Sequence, residues 1–198
     1  QFVYYLQTEL GFTHLGIASE EYPTEDGFPL MPYHRESRRI QGLATLTLNH
    51  IAAPYAQNQP LYRAGIAVGD YPVDHHHDAK PQSIAAPELY FYPVPSYTIP
   101  LGVLLPKEIP NLLVTEKSIS VSNIVNGTTR LQPVVLQLGQ ATGITAALAV
   151  QQQQLPKAVL PREVQQRLLD QGGYLLPFLD VPKTHPHFKS YQRIGVTG

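Results

Sequence analysis

The chain has no cysteine, no tryptophan and a single methionine. Without cysteine there is no disulfide, no zinc–thiolate centre and no thiol nucleophile. The same absence leaves the compartment open and suits an oxidising one, periplasmic or secreted. Charge is also scarce. Charged residues make up 15% of the chain, 14 Lys and Arg against 15 Asp and Glu, for a formal net charge of −1. Neither sign runs in a block, so there is no electrostatic argument for nucleic acid or an anionic membrane. The most apolar stretch, 133–150, is interrupted by Gln137, Gln140, Thr142 and Thr145, and does not read as a membrane span. No G-x-G-x-x-G occurs, so these residues offer no glycine cradle for a dinucleotide pyrophosphate. Gly65 and Gly69, or Gly139 and Gly143, have the wrong spacing and context. No signal-peptide pattern is visible, and residue 1 is glutamine. The expectation is a piece of a longer protein.

What is present is ordinary globular material with unusual punctuation. At 198 residues and 43% hydrophobic composition the chain can bury a sizeable core. Nineteen prolines and twelve tyrosines stand out. The prolines from Pro29 to Pro110 forbid long helices between residues 28 and 110 and predict short strands and structured loops there. Residues 1–10 read as a helix with Phe2, Tyr5, Leu6 and Glu9 on one face and Gly11 as its stop. Strands are expected at 43–51, 65–71 and 88–94, in a mostly antiparallel sheet. Leu112, Leu113 and Val114 suggest a buried strand. A polar loop follows, and then a helix from about 133 to 151 with Pro133 in its first turn. That helix carries Gly139, Gly143, Ala146, Ala147 and Val150 at helical spacing. Each glycine costs about 1 kcal/mol there relative to alanine, which suggests that something approaches the backbone: a sheet, another helix or a flat ligand. Residues 161–173 form a further helix with Val164, Leu168 and Leu169 inward, and residues from 177 onward read as extended. The fold class is α+β, in three parts: 1–110, 111–152 and 153–198.

Two constellations could carry chemistry. In HRESRRIQG, Arg35, Arg38 and Arg39 bracket Glu36; arginines at a strand end can clamp a carboxylate or phosphate. The plainer alternative is an ion-pair network with Glu36. In GDYPVDHHHD, His75, His76 and His77 sit among Asp70, Asp74 and Asp78. Consecutive histidines point in different directions, so no metal is assigned; one of the three suits a proton carrier or a substrate contact.

NLLVTEKSISVSNIVNGTTRLQPVVLQLGQATGITAALAV (111–150) is joined, in consistent order, by LMPYHRESRRIQG (30–42), YRAGIAVGDYPVDHHH (62–77) and SYTIPLGVLLPK (96–107). Together these stretches resemble the C-terminal, flavin-binding portion of a family of bacterial FAD-dependent oxidoreductases, some of whose members are called xanthan lyases. The resemblance implies FAD as cofactor of the intact protein and hydride transfer from an unidentified organic substrate. It implies that residues 1–110 are a substrate-side subdomain and that 111–152 is the strand–loop–helix at the end of an α/β FAD-binding domain. By position, Glu116, Lys117, Ile119 and Ser120 would lie near the ribityl chain. Asn126, Gly127, Thr129, Arg130 and Leu131 would lead to the ring, with Gln132 and Val134 at the helix start. Thr115-Glu116-Lys117 stands where many relatives have an Ala-Gly-Arg-like turn, which puts the phosphate contact in doubt. The dinucleotide-binding domain is then a missing N-terminal partner. Residues 1–198 alone should bind FAD weakly or not at all, and the face left open should favour self-association. Two alternatives stand beside this. One is a polysaccharide lyase acting on a uronate, with Tyr33, His34, Arg35, Arg38 and the histidine run as residue types. The other is a carbohydrate-binding module, which the lack of tryptophan disfavours.

Overall fold

Prolines decide where helices can start and how far they run. In the computed structural model, which describes residues 1–31, 33–36, 38–74 and 89–198, the elements in chain order are α1 (Phe2–Thr8), α2 (Leu48–Ala52), β1 (Gly65–Gly69), β2 (Tyr97–Pro100), α3 (Asn123–Thr129), α4 (Gln132–Gln151), α5 (Pro161–Asp170) and α6 (Phe188–Gly195). Among the described residues between 28 and 110, the only α-helix is the five-residue α2. Pro133 and Pro161 sit in the first turns of α4 and α5, where a missing N–H costs nothing. The chain divides into two compact units, Gln1–His34 and Arg35–Gly198. In the first, no residue of α1 is buried, and the turn after it is tied by Gln7 Nε2 donating to the Leu15 carbonyl at 2.6 Å.

The second unit holds the hydrophobic core, built on Leu46, Ile66, Ile99, Leu104, Leu138 and Leu168. At its centre β1 and β2 pair antiparallel, Val68 opposite Thr98 and Gly69 opposite Tyr97. A Cβ at Gly69 would lie 2.3 Å from the Tyr97 ring, so glycine is required at that contact. Two strands alone are marginal in water. Their exposed edges are met by glutamine side chains. Gln137 of α4 accepts from the Val68 N–H and donates to the Val68 carbonyl, both at 3.0 Å, as a third strand would. Gln165 of α5 donates to the carbonyls of Arg63 and Gly65, also at 3.0 Å. Gln192 of α6 is fully buried; it accepts from the N–H groups of Leu175 and Leu176 at 2.8 Å and donates to the Leu176 carbonyl at 2.9 Å.

The fold is α+β with a small antiparallel sheet, but several expected elements differ. Residues 43–51 are not a strand. Gly42 and Leu46 make single bridges to Pro106 and Val121, and then the reciprocal cap between Thr47 and His50 starts α2. Residues 89–94 contribute only the bridge Val73–Tyr92, and Phe91 adopts a positive φ of 48°. Leu112–Val114 form no strand and Leu112 is exposed. The segment has no neighbouring strand to join and is anchored by Val114 N–H on the Leu104 carbonyl at 2.9 Å. The strand at 97–100 and the helix at 188–195 were not expected. Flanking prolines hid the first, and a buried glutamine in the middle of the apolar stripe hid the second.

Helix α4 is 20 residues long with a mean hydropathy of 1.4, enough by length and composition to cross a membrane. Its Val134, Val135, Leu138, Ala141, Thr145, Leu148 and Ala149 are buried within the unit, however, and it is read as a core helix. The small-residue face is the opposite one. Gly139, Gly143, Ala146, Ala147 and Val150 are exposed, and among the described residues nothing lies within 4 Å of a Cβ built on either glycine. Packing on the sheet therefore does not account for these glycines.

Replacing Gln192 with leucine leaves two buried N–H groups and one carbonyl without partners. Gln192→Leu should lower unfolding free energy by about 2–3 kcal/mol, measured by urea denaturation, with an unchanged denaturant slope.

Candidate functional site

The polar centre of the second unit is built where the segment leaving β1 meets α3. Ser122 caps α3 by accepting from the Val125 N–H at 3.3 Å. Every residue from Val125 to Thr129 is buried. The Asp74 N–H donates to the Gly127 carbonyl at 3.4 Å. A Cβ at Gly127 would stand 3.1 Å from the Asp74 carbonyl oxygen, so the close approach depends on glycine. Arg130 closes the contact, its guanidinium 2.7 Å from the Asp74 carbonyl and 3.2 Å from Asp74 Oδ2. The Thr128 hydroxyl donates to the Tyr71 carbonyl at 2.6 Å, so at 2.9 Å from the Tyr97 hydroxyl it accepts. Burial, and secondarily the charge of Asp70, push the Tyr97 phenol far above its ordinary pKa and keep it a donor.

Among the described residues, buried polar atoms without a hydrogen-bond partner include both amide atoms of Asn126 and Arg130 Nε, and elsewhere Thr115 Oγ1 and Glu36 Oε1. Asn126 and Arg130 are one helical turn apart. An amide presenting a free donor and a free acceptor has the chemistry to meet a polyol hydroxyl or a heterocyclic carbonyl. A diphosphate fits less well. Glu116, the acidic residue of that turn, is exposed and stands at a positive φ of 65°, where glycine would be the easy choice.

At the start of α4 a cavity of about 570 Å³ opens between Leu131, Pro133 and Val134 on one side and Gly69, Asp70 and Tyr71 on the other, with Phe178 and Leu179 closing it. Its lining is mainly apolar, with Asp70 held at the rim by the Ser96 hydroxyl at 3.0 Å. The first turn of α4 has neither a side-chain cap nor an acidic residue. Its positive dipole end is left for an electron-rich group. Among the described residues no three His, Asp or Glu side chains converge on a metal-sized site.

Residues 1–168 match the family described as FAD dependent oxidoreductase. The chain belongs to that family. No curated protein and no solved structure matches it. The family's description names FAD and oxidoreduction; it names neither a lyase activity nor a polysaccharide.

Within this FAD-dependent oxidoreductase chain, the residues singled out in the sequence fall into three groups. Asn126, Gly127, Thr129 and Arg130 are buried together on α3, with Asp74 against them. Thr129 is committed to its own helix through the Val125 carbonyl at 3.1 Å. Ser120 is buried and paired with the Thr45 hydroxyl at 2.9 Å, and Lys117 is buried in the 3-10 turn Glu116–Ser118. Gln132 is exposed at the first position of α4. Arg35 and Arg38 are exposed, and among the described residues Glu36 Oε1 is buried without a hydrogen-bond partner. His75, His76 and His77 lie outside the described residues. Thr128, Tyr97 and Gln137 were not singled out. A threonine or glutamine committed to backbone partners leaves no periodic trace in a sequence.

The Arg130–Asp74 contact is mostly buried, so Arg130→Met should destabilise the chain by about 3 kcal/mol in urea denaturation. A second prediction concerns His50. Its Nδ1 accepts from the Thr47 N–H at 3.2 Å, and burial holds its pKa below the usual 6.5. The native state therefore favours neutral imidazole. The stability tied to it is complete above the unfolded value near 6.5 and is lost as pH falls through the lower native value. The urea midpoint should drop between pH 7.5 and pH 5, and His50→Gln should flatten that drop.

Proposed function

We propose that this chain supplies the substrate side and the ring-facing part of the cofactor site in an FAD-dependent oxidoreductase. Residues 1–110 would serve the substrate and 111–152 the flavin. The observation that carries the reading is the cavity at the first turn of α4, mainly apolar and bounded by an uncapped helix start. A planar ring with one electron-rich edge suits that combination. When bound, FAD supplies the hydride acceptor.

The chain's own residues have separate tasks. The α4 first turn would favour an electron-rich edge of a bound ring system. Leu131, Pro133 and Val134 exclude water from that edge. Asn126 and Arg130, with unpartnered buried atoms one turn apart, would hold the polar chain leading from the ring. Glu116, Lys117, Ser120, Gly127, Thr129 and Gln132 are kept as cofactor-side residues on the strength of the resemblance. Arg35 and Arg38, both exposed, would clamp an anionic group of the substrate, and one of His75, His76 and His77 would carry its proton. The pyrophosphate cradle is assigned to a dinucleotide-binding segment outside these residues, because no G-x-G-x-x-G is present. The large apolar residues exposed in the first unit, Phe2, Tyr4, Leu30 and Met31 among them, support self-association of the chain when it is isolated.

The 198-residue chain mixed with FAD should show no tight stoichiometric complex, whereas the intact protein, purified without denaturation, should show flavin absorption near ~450 nm. A tight complex of the chain alone would remove the external cradle. An intact protein without flavin bands that also failed to take up FAD would sink the whole proposal. Pro133→Glu in the intact protein places a carboxylate at the cavity wall and at the helix start. It should leave α4 stable, since acids suit that end, and should weaken FAD retention by about tenfold or more.

A further inference from the structure

A second cavity of about 500 Å³ lies beside the first and shares Ser96, Pro177 and Phe178 with it. Its walls are aromatic. Tyr55 and Tyr62 meet edge to face with centroids 4.9 Å apart, and Tyr97 and Phe178 add two more rings. Among the described residues no carboxylate, lysine or arginine lines it. The hydroxyls of Ser96, Tyr97 and Thr98 are already committed, to Asp70, Thr128 and the backbone carbonyls of Ala67 and Leu175.

The polar groups left on the wall are the phenol hydroxyls of Tyr55 and Tyr62 and the imidazole of His50, and the imidazole is the one whose donor atom is fixed by a neighbouring contact. The Thr47 N–H, which can only donate, points at Nδ1, and the Thr47 hydroxyl lies 2.8 Å from the same atom. Nδ1 is therefore the acceptor, and the ring proton sits on Nε2. The cap that starts α2 thus sets the tautomer of the one imidazole on the wall of an aromatic cavity. Burial favours the neutral ring, which keeps that tautomer at neutral pH.

We propose that this cavity is a binding site for an uncharged, planar, bicyclic-sized aromatic compound that presents a carbonyl acceptor to His50 Nε2–H. The rings of Tyr55, Tyr62 and Phe178 supply the flat apolar contact, and the imidazole N–H fixes orientation. The volume falls within the range of small-molecule sites. The absence of charged lining residues selects against anionic and cationic compounds of the same size. The site is independent of the flavin reading, because none of its argument uses the cofactor.

The probe is coumarin, a neutral bicyclic lactone, added to the 198-residue chain without FAD and followed by equilibrium dialysis. Saturable one-to-one binding is expected. Naphthalene, which has the same size but no acceptor, should bind about fivefold more weakly. His50→Phe should erase that difference by weakening coumarin alone. Because His50→Phe also removes a helix cap, Tyr55→Ala is the companion variant: its side chain is exposed at the cavity mouth, it leaves the cap intact, and it should weaken both compounds. The proposal is overturned if coumarin shows no saturable binding, if naphthalene binds as well as coumarin, or if Tyr55→Ala binds both as the parent does. Loss of the FAD complex in the intact protein would not affect any of these readings.

Discussion

A two-stranded sheet buried in a protein has an unavoidable debt of hydrogen bonds, because each strand has one edge with no neighbour. Water cannot satisfy those groups in a core, and each one left bare costs on the order of 1–3 kcal/mol. Here glutamine side chains from two helices meet the free edge of β1, and a glutamine from a third helix satisfies a turn outside the sheet. Gln137 pairs with both backbone groups of Val68, Gln165 reaches Arg63 and Gly65, and Gln192 holds the turn at Leu175 and Leu176. A primary amide carries a donor and an acceptor at nearly the spacing of a peptide group, so it can copy a strand for one residue. The consequence is positional. Helices α4, α5 and α6 are each docked by a directional bond as well as by apolar burial, which is non-directional.

That docking fixes the start of α4 next to the end of β1, where the larger cavity lies. The second tie is the meeting of Asp74 with α3. Arg130 and Asp74 are 56 residues apart, yet their contact, the Gly127 approach and the Thr128 bridge between Tyr71 and Tyr97 bring the residues after β1 against a helix whose side chains are mostly polar and buried. A helix of this composition has little apolar surface to hold it in place. It is retained by hydrogen bonds, and the two atoms of the Asn126 amide that lack partners mark where that network is incomplete. Membership in the FAD dependent oxidoreductase family gives the gap a chemical context.

The exposed face of α4 belongs to the same picture. Glycines at 139 and 143 weaken a helix without a close packing contact among the described residues. Their cost is spread over a helix whose other side is fully engaged in the core, so α4 remains long and continuous. The same helix thus offers its positive dipole end to the cavity, a packed face to the sheet and a smooth face to solvent.

Residue pattern alone determined the elements whose signals are local. Pro133 and Pro161 announced the two principal helices, the proline density up to residue 110 excluded long helices there, and residues 65–71 read as a strand, of which Gly65–Gly69 is one. The α+β class followed, and the quoted segments were enough to indicate the family. Pairing was decided only in three dimensions. Tyr97–Pro100 is a strand because β1 lies beside it, whereas Leu112–Val114 pairs with no strand among the described residues; β propensity is realised only against a neighbour. Residues 43–51 alternate well enough for a strand, but the Thr47–His50 cap is a stronger local bond than an absent partner. Arg130 and Asp74 were each visible as candidates but not as partners, and the threonine and glutamine tethers were not visible, because hydrogen bonds between residues far apart in sequence have no period. Local propensity and punctuation are written in neighbouring residues; the meeting of distant polar groups depends on a geometry that only the packed core supplies.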